Sequence, residues 1–100
     1  MKQTREELAL AVDPAEWDVL RAHLERGGLI VVAQDLDIVD AGAAIIADDT
    51  ASVNGWIAGG KLSKPTAEQV AAWDDNRRTS FLALIVSPYV LIQKIPAIVQ

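Results

Sequence analysis

The sequence predicts an α+β fold: several short helices packed on a small two- or three-stranded sheet. Three observations carry this. Helix starts are written as capping boxes, apolar residues recur behind them at helical spacing, and several apolar runs are the length of strands. One hundred residues is one domain's worth of chain, so residues 1–100 are expected to form a single domain.

The capping boxes are Thr4 with Glu7, Asp13 with Glu16, and Thr66 with Gln69. In each, an N-cap oxygen and a Glu or Gln three residues on can satisfy N–H groups that the first helical turn leaves unpaired. The first helix is short, about Arg5 to Val12. The second, Pro14 to Arg26, sets Trp17, Leu20 and Leu24 on one face and Glu16, Asp18, Arg21 and Glu25 on the other. Pro14 suits the first helical position and Gly27 a left-handed C-cap.

Leu29 to Ala33 is a β-branched run, expected to be a strand covered on both faces. Ile38 to Asp48 reads as a helix that is apolar nearly all the way round, buried by its own domain or by a neighbour. Val53, Trp56 and Ile57 make a further helical face ending at Gly59-Gly60, and Lys61 to Pro65 reads as a loop. Ala67 to Asp75 is a helix with Val70 and Trp73 inward. Phe81–Val86 and Tyr89–Ile95 read as strands broken at Ser87-Pro88, since proline cannot donate to a ladder. The distance from Leu29–Ala33 to these strands leaves room for a parallel, right-handed crossover. Residues 96–100 are apolar without a period, and are expected to be frayed or docked on a partner.

Composition limits the function classes. The formal charge is −5, split as 4 basic and 11 acidic groups in residues 1–50 against 5 and 3 in residues 51–100. No basic patch is large enough to neutralise several phosphates, which argues against nucleic-acid binding. The longest uncharged stretch, Thr79 to Gln93, is shorter than the roughly 20 residues a spanning helix needs, and Met1 to Val12 lacks a signal-peptide core. A cytoplasmic protein with no membrane contact is therefore expected. There is no cysteine, hence no disulfide, thiolate zinc site or cysteine nucleophile. The chain is 51% hydrophobic before its six glycines are counted, above the roughly 45–50% usual with glycine included, although 16 of those residues are Ala. Part of that surface is expected to be covered by another chain.

Three groups of residues are candidates for chemistry. Gly55 to Lys61 nearly matches a phosphate-binding loop, but Leu62 stands where a Ser or Thr hydroxyl would hold Mg²⁺, and a helix precedes it instead of a strand. Asp35, Asp37, Asp40, Asp48 and Asp49 form the densest acidic group, and hard divalent cations need several carboxylate oxygens at once. Read as a calcium loop from Asp35, however, the sixth position is Asp40 and not Gly, and the twelfth is Ile46 and not Glu. Helix caps account for the same residues. His23, the only histidine, has no partners for a zinc site or a triad and reads as partly buried and structural. Trp17, Trp56 and Trp73 read as helix-centre core residues.

Several segments together resemble an uncharacterised bacterial family, the domain of unknown function 2288 group. They are Arg26 to Ala33, Leu36 to Val39, Ala47-Asp48-Asp49, Val53 with Trp56 and Ile57, Lys64-Pro65-Thr66, Ala71-Ala72-Trp73 and Ile85 to Gln93. Tyr89 departs from the Trp expected there. The resemblance implies a bacterial cytosolic protein, and supplies neither an activity nor catalytic residues.

The functional expectation is a non-catalytic, self-associating interaction module, a homodimer, with an unidentified protein partner as a further option. No catalytic residue and no cofactor are assigned. The homodimer is expected through the Ile38–Asp48 helix and the 96–100 tail, or through edge pairing of the Phe81–Ile95 region. The alternative is a carboxylate-based enzyme or divalent-metal binder using Asp35, Asp37, Asp40, Asp48 and Asp49.

Overall fold

Apolar strand segments and capped helices interleave along the chain, and the computed structural model, which describes residues 4–95, assembles them around one five-stranded sheet. The elements are α1 (Arg5–Ala11), β1 (Asp13–Glu16), α2 (Trp17–Glu25), β2 (Leu29–Val32), α3 (Ile38–Ile46), α4 (Thr50–Ala58), β3 (Leu62–Ser63), α5 (Ala67–Asp75), β4 (Ser80–Val86) and β5 (Tyr89–Lys94). The strand order is β1-β4-β5-β2-β3. The β2–β5 pair is parallel and the other three pairs are antiparallel. The fold is α+β as expected.

Strand alternation sorts the side chains into two cores. On one face Leu84 lies opposite Leu91, and with Val32, Leu62 and Val86 they pack under Leu8 of α1, Ile38 and Ala41 of α3, and Val53 and Trp56 of α4. On the other, Phe81, Val90, Ile92 and Leu29 pack under Trp17 and Leu20 of α2 and Trp73 of α5. In this second core Trp73 meets Phe81 edge-on at 4.9 Å and Trp17 at 4.9 Å, the tilted geometry that aromatic quadrupoles favour. The expectation that β2 is covered on both faces follows from this layering.

Local signals explain most boundaries. Thr66 and Gln69 form the reciprocal capping box that starts α5. Thr4 Oγ1 accepts from the Glu7 N–H at 3.1 Å to start α1. Gly27, at φ 73°, occupies the left-handed region where a side chain would be strained, and so ends α2. Gly28 permits a close approach: its carbonyl accepts from the Val90 N–H at 2.8 Å, and a Cβ there would sit 2.9 Å from the Pro88 carbonyl oxygen. This contact seats the Ser87-Pro88 turn against the start of β2.

The structure corrects four expectations. Asp13 does not cap a helix, because Asp13–Glu16 is an edge strand paired with β4. Among the described residues no strand lies outside β1, so Pro14 breaks no ladder there. Helix α2 starts instead at Trp17, and its first N–H groups donate to the carbonyls of Thr79 (2.9 Å) and Arg77 (3.0 Å), backbone acceptors that replace a side-chain cap. Trp17 therefore opens its helix instead of sitting at its centre. The sheet has five strands where two or three were expected: β1 carries no apolar run, and β3 is two residues inside the expected loop.

Gly28 and Gly55 should respond oppositely to alanine. Gly55 is exposed inside α4 with nothing within 4 Å of an added Cβ, so Gly55→Ala should stabilise by about 1 kcal/mol through helix propensity. Gly28→Ala must push the Pro88 backbone away and should cost about 1–3 kcal/mol. Thermal melts should show Tm rising by roughly 4–8 °C in the first and falling in the second.

Candidate functional site

The five aspartates are spread along α3 and its two ends. Asp37 is the N-cap of α3, its Oδ1 accepting from the N–H groups of Val39 (2.7 Å) and Asp40 (3.2 Å). Asp40, in the first turn, pairs with Arg5 of α1. Asp35 pairs with Lys61, whose hydrogen bond holds the Asp35 carboxyl below the usual carboxylate range. At the other end of α3, Asp48 adopts φ 57°, and Asp49 caps α4. The Asp49 carboxyl is also held low, by the Ser52 hydroxyl at 2.7 Å and its backbone N–H at 3.2 Å. The nine residues of α3, about 13 Å of rise, lie between Asp37 and Asp48. Among the described residues, no three His, Cys, Asp or Glu side chains converge as a metal site would require.

The glycines of the Gly55–Lys61 segment belong to α4 and its exit: Gly59 is the C-cap and Gly60 stands at φ 75°. His23 is half-buried on α2.

Helix α3 packs one side against its own chain. Ile38, Ala41, Gly42 and Ala44 are buried, and Gly42 lies so close to β4 that a Cβ would fall 2.7 Å from Leu84 Cδ2. Strands β4 and β5 are internal, leaving only Leu84–Val86 beyond the reach of β1 at that edge. The 96–100 tail lies outside the described residues.

What the fold creates is a groove of about 500 Å³ assembled from four stretches of sequence. Its helical wall is the end of α3 and one side of α4, with Ala44, Ile45, Asp48, Asp49, Val53 and Ile57. Its other wall is the β2–β3 edge with the β4–β5 turn, contributing Ile30, Leu62, Ser63, Lys64 and Tyr89. Ile57 and Tyr89 are 55% and 40% exposed at this opening. The lining is largely apolar, and its charged groups are Asp48 and Asp49 on the helical wall and Lys64 on the strand wall. Sequence reading passes over this surface because Ile57 reads as core, Tyr89 as strand, and Lys64 as loop.

A second constellation has no sequence signal, since Asp74 lies more than fifty residues from both of its partners. Asp74 Oδ1 accepts from Trp17 Nε1–H and from Arg21 Nε–H, both at 2.8 Å, and Oδ2 from Arg21 Nη2 at 3.3 Å. The Arg21 hydrogen bond, then that of Trp17, holds the Asp74 carboxyl below its ordinary value. Arg21, expected outward, is thereby half-buried between α2 and α5.

Two outcomes follow. A group with a lowered folded-state pKa stabilises above its unfolded pKa and loses that contribution as pH falls through the folded value. The Tm gap between wild type and Asp74→Asn should therefore hold from neutral pH to about pH 5 and close below about pH 4; a constant gap to about pH 3 contradicts it. Calorimetric titration with Mg²⁺, Ca²⁺ or Mn²⁺ should give no affinity tighter than about millimolar, roughly −4 kcal/mol. Micromolar binding lost in Asp37→Asn or Asp48→Asn would overturn the capping account.

Comparison with known proteins places this architecture. The NMR solution structure of PA1075 from Pseudomonas Aeruginosa is similar, with 30% sequence identity and a TM-score of 0.79 over 90% of this chain and 82% of that one. Among curated proteins none matches. No helix among the described residues is long and apolar enough to cross a membrane. The family described as Protein of unknown function (DUF2288) matches residues 3–94, spanning both cores and the groove, and the chain belongs to that family.

Proposed function

We propose that this chain is a bacterial cytoplasmic interaction module, non-catalytic and self-associating as a homodimer. The observation that carries the reading is the apolar groove with Ile57 and Tyr89 exposed at its opening. Exposed apolar surface gathered in one opening and rimmed by polar groups is the pattern of a contact surface. The chemistry beside it is sparse. Asp49 is engaged in capping α4 and accepts from the Ser52 hydroxyl, and His23 stands on another element. The rival reading, a carboxylate enzyme or divalent-metal binder, has against it the separate engagement of Asp35, Asp37, Asp40 and Asp49 in pairs and caps. The bacterial source of the similar NMR structure supports the bacterial assignment.

Light scattering coupled to size exclusion tests the reading across a dilution series. A mass twice the 10.8 kDa of the chain is expected at about 100 μM, moving toward the monomer on dilution if the dissociation constant is micromolar. A mass of 10.8 kDa at every concentration would overturn it.

A further inference from the structure

The groove carries opposite charges on its two walls. Asp48 and Asp49 stand on the helical side and Lys64 on the strand side, with Ile57 and Tyr89 exposed at the opening. Neither Asp48 nor Lys64 makes an ion pair among the described residues, whose pairs are Arg5–Asp40, Arg21–Asp74, Lys61–Asp35 and Arg77–Asp18. An occupant of one charge sign would meet like charge on one wall. A copy of the same surface, turned by a two-fold axis, meets opposite charge on both, because in such an interface residue i contacts j and j contacts i. Building on the self-association proposed above, we infer that the groove is an isologous interface occupied by a second copy of this chain. Lys64 of each copy faces Asp48 of the other, and Ile57 and Tyr89 fill the apolar centre.

Mixing complementary charge reversals tests this in trans. Lys64→Glu alone sets two acidic walls together, and Asp48→Lys alone sets two basic groups together, so each should raise the dissociation constant about tenfold or more. That corresponds to about 1.4 kcal/mol. In an equimolar mixture, the new carboxylate of the Lys64→Glu chain meets the new ammonium of the Asp48→Lys chain. The native Asp48 of the first meets the native Lys64 of the second, and dimer should return as a heterodimer. Melting curves establish that each variant is folded, which matters most at Asp48 with its positive φ. Ile57→Glu, at an exposed position, should abolish the dimer without rescue by either variant.

A wild-type dimer that all three substitutions leave intact would overturn this interface while leaving self-association standing. Loss of dimer in the single variants without recovery on mixing would overturn the two-fold pairing. A wild type that is monomeric throughout removes both proposals together.

Discussion

The β4–β5 hairpin is apolar on both of its faces, and the rest of the architecture answers that constraint. Successive strand residues point to opposite sides of a sheet. Leu84 and Leu91 are fully buried on one side, Phe81 and Ile92 on the other. A hairpin of this kind cannot stand at a surface, so it takes the centre of the sheet and requires cover twice. Helices α1, α3 and α4 supply one cover, while α2 and α5 supply the other. Their connections then fix the sheet. Helix α2 must return β2 beside β5 in parallel, and Gly28 brings β2 within hydrogen-bonding distance of Val90. The two faces are held differently: one is aliphatic and closes on small residues of α3, the other is aromatic and is tied across its helices by Asp74.

How much of this was legible depends on whether the cause was local. Thr66 with Gln69 marked α5, Asp35 or Asp37 marked the start of α3, and Gly27 marked the end of α2, since caps act within one turn. The β2, β4 and β5 runs were legible because their apolar content is dense. Strand β1, Asp-Pro-Ala-Glu, was not: its pairing to β4 is a tertiary event that overrides a plausible capping box. Strand β3 is too short to have a pattern. The acidic group was visible in sequence, but its division between the two ends of α3 depends on the length of that helix.

The groove shows why function is harder to read than fold here. Its walls come from segments that each have an adequate local explanation, and only the β2–β3 edge beside α4 brings Lys64 and Asp48 to one opening. Two of the grounds for association that the sequence offers, α3 and the β4–β5 region, are taken up in part by packing within the chain. Helix α3 turns Ile38, Ala41, Gly42 and Ala44 into its own chain, and β4–β5 is internal. The exposure of Ile57 and Tyr89 is the structural basis of the proposed dimer.

The most direct measurement is an isotope-filtered nuclear Overhauser experiment on a mixture of labelled and unlabelled wild-type chains, which detects only contacts between copies. The account predicts intermolecular cross-peaks joining the Ile57 methyls to the Tyr89 ring and to the Lys64 side chain. Cross-peaks confined to other surfaces, such as exposed Val19 and Ile85, or none at all at about millimolar concentration, would contradict it.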